Sequence, residues 1–231
     1  MRGKSLNDAT MTVVRSGRLA FAAFGIAAVV QAVVDSTGSL VNFFSYFTIE
    51  SNLMAIVVML VGGVADPRSP RWAWIRGAVT FYMVVTGIVY AALLANAEVG
   101  LTAAWVNSVL HQVIPAVLLL DWLCFPPWPS RAEAGKAWPA LAWLAFPLLY
   151  LAYSLGRGAA VDWYPYPFLD PRRPGGYGRV ALFCVVLAVL MALLALGIAA
   201  AGRWRAARRS GDRSPRPPIP APNLPHSPPR A

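Results

Sequence analysis

Six long apolar runs constrain this chain more than any other feature. They cover residues 19–34, 43–64, 77–95, 101–120, 137–153 and 180–201. Crossing a bilayer as a helix takes about 20 apolar residues. Four runs reach that length, and the first and fifth fall a little short, to be completed by flanking residues or by locally thin membrane. The runs are rich in Ala and Leu, which favour helices, and they lack the alternation of a membrane β-barrel. Hydrophobic residues make up 58% of the chain and charged ones only 13%, too greasy for a water-soluble bundle whose helices need polar faces. The expected fold is all-α: a polytopic membrane protein of six transmembrane helices.

Charge between the runs predicts the orientation, because short cytoplasmic connections accumulate Lys and Arg. The N-terminal segment carries Arg2, Lys4, Arg15 and Arg18 against Asp8. The second connection holds Arg68, Arg71 and Arg76, and the fourth, 121–139, holds Arg131 and Lys136. Segments 35–42 and 96–100 hold no base. Both termini are therefore expected in the cytoplasm. The last outer connection, 154–179, departs from the pattern with Arg157, Arg172, Arg173 and Arg179 against Asp162 and Asp170. The first run follows basic residues, as a signal peptide would, and is read as a retained start-transfer helix. The chain divides into a cytoplasmic segment 1–18, a membrane domain 19–201, and a basic tail 202–231. The tail contains eight prolines and should be disordered.

A formal net charge of +10 points in this setting to anionic lipid at the cytoplasmic rim, and away from nucleic acid. Trp72, Trp74, Trp122 and Trp128 suit anchoring at that interface. Cys124 and Cys184 fall near opposite ends of their helices, so neither a disulfide nor a thiolate metal site is expected. Metal ions and organic cofactors are absent from the expected chemistry. Protein partners are not indicated.

Polar residues inside apolar runs carry the chemistry. In the second run Thr48, Ser51, Asn52 and Ala55 share one helical face. Glu50 points elsewhere and is expected to pair with an outer-loop arginine. In the fourth run Asn107 and His111 share a face, with Gln112 beside them. Pro115, a turn further in, removes a backbone hydrogen bond. An ionisable group at membrane depth marks a function or a specific partner. With a rise of about 1.5 Å per residue, Thr48 and His111 lie at similar depths in the outer half. A hydroxyl beside an imidazole is the minimal apparatus of covalent ester hydrolysis. In that reading Thr48 is the nucleophile, His111 the base and Asn107 the group orienting it, with Asn52 a donor to the oxyanion and Ser51 a rival nucleophile. A structural histidine, a regulatory membrane protein and a transporter are the competing readings. Asp121, about 15 Å from His111 along the helix, is too far to orient it and should pair near the cytoplasmic surface with an arginine of the second inner loop. The last outer connection runs Asp162-Trp163-Tyr164-Pro165-Tyr166-Pro167-Phe168-Leu169-Asp170, a stiff non-helical cap over the polar face.

These segments resemble a known family. Tyr46-Phe47-Thr48-Ile49-Glu50-Ser51-Asn52, then Asn107 to His111 with Pro115 and Asp121-Trp122, then Tyr164 to Phe168 with Gly176-Tyr177-Gly178, resemble in order the motifs of bacterial six-pass membrane proteins related to the androgen-induced gene product. Animal members of that superfamily hydrolyse fatty-acid esters of hydroxy fatty acids with a threonine and a histidine. The resemblance implies that Thr48 and His111 are that pair and that an amphipathic lipid ester is the substrate. In the hydrolase reading Ser51, Asn52, Gln112, Tyr164, Tyr166 and Phe168 contact the substrate, and the apolar runs and charge pattern make the protein multi-pass in the inner (plasma) membrane.

Overall fold

The computed structural model describes residues 2–95, 103–125 and 138–211, with side chains from 8 to 208. Within them the chain forms six long helices: α1 (Arg2–Asp35), α2 (Phe47–Val64), α3 (Pro70–Leu94), α4 (Ala104–Cys124), α5 (Trp138–Val161) and α6 (Gly176–Gly211). All six contain a stretch long and apolar enough to cross a membrane. Large apolar side chains such as Val30, Val34, Leu120, Leu149, Leu182, Val185 and Leu193 cover the outside of the bundle. Phe81, Met59, Met83, Ile114 and Val85 fill its inside. A polytopic all-helical membrane protein is the class these features define.

The helix ends depart from the apolar runs for local reasons. Helix α1 extends back to Arg2, so segment 1–18 is mostly helical. Helix α6 passes the expected boundary at Gly202, because Trp204 to Arg209 is made of helix-compatible Ala and Arg. The proline-rich remainder, 212–231, lies outside the described residues, as do segment 96–100, Trp128, Arg131 and Lys136. The second run is broken. A one-turn helix, Leu40–Phe44, is capped by Ser39 and stops at Ser45, and Tyr46 is extended. Thr48 is therefore the second residue of α2, not several residues inside it.

Helix α2 packs most extensively on α1 and also on α3 and α4. Gly63 allows the close approach of α1: a Cβ there would lie 2.6 Å from Leu19 and 3.1 Å from the Arg15 carbonyl. That approach brings two arginines to the C-terminal carbonyls of α2. Arg15 donates to the carbonyls of Gly63 and Val64, and Arg18 to that of Gly62 at 3.1 Å. Cations at a helix C-terminus satisfy orphan carbonyls and oppose the helix dipole.

Arg18 also pairs with Asp66 at 2.8 Å and with Asp121 at 3.0 Å, and Arg76 pairs with Asp121 at 2.7 Å. One partner of Asp121, Arg76, belongs by sequence to the second inner connection but lies buried inside α3, and the other, Arg18 of α1, is buried as well, so the pairing is not at the surface. This two-acid, two-base cluster ties α1, α3 and α4 to the turn after α2. We predict that Asp121→Asn lowers stability by about 3 kcal/mol, because it leaves two buried guanidiniums short of a counter-charge. Asp66→Asn, which deprives only Arg18, should cost less. Thermal unfolding of the purified protein in detergent gives the comparison.

Candidate functional site

At the opposite end of α2 the first backbone N–H groups have no partner within the helix. Two tyrosine hydroxyls accept them. Phe47 N–H donates to Tyr150 of α5 at 3.2 Å, and Thr48 N–H donates to Tyr166 of the α5–α6 loop at 3.3 Å. Tyr150 in turn donates to the Ser45 carbonyl at 2.9 Å, so the break before α2 is itself held from α5.

Thr48 and His111 meet across α2 and α4, with Oγ1 and Nε2 3.3 Å apart. The local geometry of α4 arranges this. Pro115 cannot donate to the His111 carbonyl, and its ring crowds that carbonyl. The helix widens into a π-type turn over Val109–Val113, in which Ile114 N–H reaches Val109 O. In an α-helix it would reach Leu110 O. Asn52 takes over that carbonyl, donating to Leu110 O at 3.1 Å and to Thr48 O at 2.8 Å. Such bulges recur at functional sites. A second π-type turn, Tyr90–Leu94 in α3, presents Tyr90 to the imidazole, with ring centroids 4.2 Å apart and planes 26° apart. His111 Nδ1 lies 3.0 Å from the Asn107 carbonyl. A carbonyl only accepts, so Nδ1 carries the proton and Nε2 accepts from the Thr48 hydroxyl.

The structure redistributes several expected roles. Asn107 orients His111 through its backbone carbonyl, while its side-chain amide donates to Tyr90. Both amide hydrogens of Asn52 are used on carbonyls, so it has none for an oxyanion. Ser51 turns to α3, where its hydroxyl meets Thr86 at 2.9 Å and donates to Thr48 O at 3.1 Å. It does not contact His111. Gln112 is exposed on the outside of the bundle, pointing away from Thr48. Glu50 makes no ion pair among the described residues. Nearby Arg157 donates to Asn42 instead and lies over Trp163.

Thr48 lines a cavity of about 220 Å³. Its other walls include Phe47, Val85, Val89, Leu151, Leu187 and Met191, with Tyr166, Phe168 and Leu169 of the α5–α6 loop. Thr86 is one of its few polar contributors. Helix α6 packs against α5 at the segment Trp138–Leu144 and against the loop at Pro167–Leu169. Between these contacts both helices line the cavity, and Leu148 is at once part of its wall and exposed on the bundle surface. The cavity thus reaches the lipid side between α5 and α6. Tyr164 is not part of it; the ring packs over Gly158, where a Cβ would meet it at 2.2 Å, and under Arg172. Cys184 lines the cavity as a free thiol, and Cys124 is exposed and forms no disulfide. No group of metal-ligating side chains occurs among the described residues.

Tyr90, Tyr150 and Thr86 carry no signal in the sequence. A tyrosine or threonine in an apolar run reads as packing until the facing helix is known. No protein-family model matches the chain, and no curated protein or solved structure resembles it closely enough to lend a family or a function.

Asn52 bonds the helix of Thr48 to the widened turn of the helix of His111. We predict that Asn52→Leu costs about 1–3 kcal/mol by stripping a donor from two buried carbonyls. Gln112→Leu, on the outer face, should leave the unfolding midpoint unchanged. Parallel melts in one detergent decide between them.

Proposed function

We propose that this protein is an intramembrane hydrolase of lipid esters, with Thr48 as nucleophile and His111 as general base. The observation that carries the reading is the 3.3 Å approach of His111 Nε2 to Thr48 Oγ1, with Thr48, though not His111, lining an apolar cavity. The separation is slightly longer than a proton-transfer hydrogen bond, as catalytic pairs without substrate often are, and Nε2 faces the hydroxyl as acceptor. His111 Nε2 takes the Thr48 proton as Oγ1 attacks the ester carbonyl, and the C=O electron pair moves onto oxygen. Nε2–H then protonates the departing alkoxide, which leaves as the hydroxy-lipid. The acyl group stays as an ester on Thr48. Water, deprotonated by His111, repeats the sequence and frees the fatty acid. The apolar walls suit an acyl chain, and the opening between α5 and α6 suits a substrate drawn from the bilayer. This chemistry calls on no metal or organic cofactor. The motif resemblance to threonine/histidine lipid-ester hydrolases supports the same assignment.

Purified protein should hydrolyse long-chain esters. Thr48→Ala and His111→Ala should each lower the rate at least about 100-fold. Intact-protein mass spectrometry with a slowly hydrolysed acyl donor should find the acyl group on Thr48. Full activity in a well-folded Thr48→Ala, or an acyl group mapped to Ser51, overturns the assignment.

One set of observations favours a non-catalytic structural or regulatory membrane protein instead. Ser51, Asn52 and Asn107 are all bonded within the bundle. Such a protein would bind no acyl donor at Thr48, so the same experiment separates the two. A transporter is the weaker reading, since a transport path needs polar groups across the whole membrane.

We further propose that both termini are cytoplasmic and that the protein resides in the inner (plasma) membrane, on the arginine distribution. In a chain lacking its native cysteines, Arg173→Cys should label from outside intact cells and Arg68→Cys should not. The reverse result inverts the topology.

A further inference from the structure

We propose that Tyr166 is a catalytic residue of this site, its phenol O–H donating the hydrogen bond that stabilises the oxyanion formed when Thr48 attacks an ester. The inference rests on the Thr48–His111 reading and adds a third group to it. Electrostatic stabilisation of that oxygen usually lowers the barrier to acyl transfer more than any other effect, so the site needs a donor. Asn52 cannot supply one, because both its amide hydrogens are held by carbonyls. Tyr166 can.

Its hydroxyl accepts from Thr48 N–H at 3.3 Å, and its own hydrogen, which goes to Thr48 Oγ1 while that oxygen donates to His111, can turn to an oxyanion in the cavity that Tyr166 and Thr48 both line. The oxygen lies 3.5 Å from Thr48 Oγ1. The oxyanion of a tetrahedral adduct sits one carbon from Oγ1, within hydrogen-bond range of a donor placed there. Accepting the Thr48 N–H polarises the phenol O–H and strengthens it as a donor. The N-terminal end of α2, behind it, favours negative charge at the same place.

The ring is fixed in advance of any substrate. It stacks on Phe168 with centroids 5.2 Å apart and planes 6° apart, and Tyr46 meets it edge-on at 5.7 Å. Pro165 and Pro167 on either side stiffen the backbone. Burial pushes the phenol up to about 12, so the donor keeps its proton through the neutral range. In the step itself the Thr48 Oγ1–carbon bond forms, the carbonyl electron pair moves to oxygen, and the Thr48 proton passes to His111. Tyr166 keeps its proton and lends only the hydrogen bond.

The test uses the full chain purified in detergent, a long-chain p-nitrophenyl ester, and a long-chain alkyl boronic acid that forms a tetrahedral anionic adduct on a hydroxyl. Tyr166→Phe is expected to lower kcat about 100-fold with KM little changed. It should weaken boronate binding by a similar factor while leaving the affinity for the matching alkyl alcohol as it was. A purely structural cap would weaken both ligands alike, and that result overturns the proposal. A second variant keeps the hydroxyl and so the fold: 3-fluorotyrosine placed at Tyr166 ionises at lower pH. The alkaline loss of rate should move down with it, and an unmoved alkaline limb overturns the proposal. An active wild type with Tyr166→Phe equally active removes Tyr166 alone. A wild type that neither turns over ester nor binds boronate removes the Thr48–His111 reading and this inference with it.

Discussion

In a bilayer, a backbone N–H or C=O that a helix leaves unpaired has no water to turn to, and each such group costs several kcal/mol. Helix α2 faces that cost at both ends, because a serine breaks the run before it and a charged turn follows it. The rest of the molecule answers with side chains. Arg15 and Arg18 of α1 take the carbonyls of Gly62, Gly63 and Val64. Tyr150 and Tyr166 take the N–H groups of Phe47 and Thr48. Helices α1 and α5 and the last loop are each tied to a terminus of α2. The site grows out of this arrangement, since the tyrosine that caps Thr48 is also the group nearest its hydroxyl after His111.

The same requirement runs through α4. Pro115 deprives the helix of one hydrogen bond, and the π-type turn that absorbs the loss leaves the Leu110 carbonyl for Asn52. A residue that reads as a hydrogen-bond donor for chemistry is in fact part of the scaffold, holding α2 and α4 in register. Specific polar contacts of this kind take the place of the hydrophobic drive, which is missing between helices in lipid. The polar stripe of α2 is therefore divided. Ser51 and Asn52 hold neighbouring helices, and Thr48 alone among the three faces the cavity.

How much of this is legible in the sequence follows from which interactions are local. Six helices can be read because the apolar length needed to span a bilayer is written in consecutive residues. Thr48 and His111 can be singled out because a polar group in an apolar run is costly wherever it sits. The start of α2 cannot be read, since apolar residues lie on both sides of Ser45 and the break there is held by Tyr150 and Tyr153, far along the chain. The roles of Asn52 and Asn107 are hidden for a related reason. Whether an amide bonds substrate or backbone depends on which carbonyl a π-type turn exposes. Asp121 reads toward a loop arginine because sequence distance favours near neighbours, whereas a buried carboxylate takes the partners that packing supplies, here Arg18 and Arg76. Tyr164 and Tyr166 stand two residues apart in the same motif, yet one packs over Gly158 and the other enters the cavity.

Three of the four arginines of segment 154–179, Arg157, Arg172 and Arg179, which break the charge pattern of the other connections, find their explanation in the shape of the α5–α6 loop. A segment dense in proline has few N–H groups of its own, and those that reach the carbonyls of Pro167 and Asp170 do so only at 3.4 Å and 3.3 Å. Arg179 donates to the carbonyls of Pro167 and Asp170 at 3.1 Å and 3.0 Å. Arg172 donates to the Asp162 carbonyl and pairs with the side chains of Asp162 and Asp170, holding the Asp170 carboxyl below the usual carboxylate range. Arg157 reaches Asn42 and stacks on Trp163, which in turn meets Tyr46. These cations hold the loop in place as a rigid roof and are largely spent in doing so. A rigid roof is what places Tyr166 over Thr48, so the departure from the topology pattern and the geometry of the site have one cause.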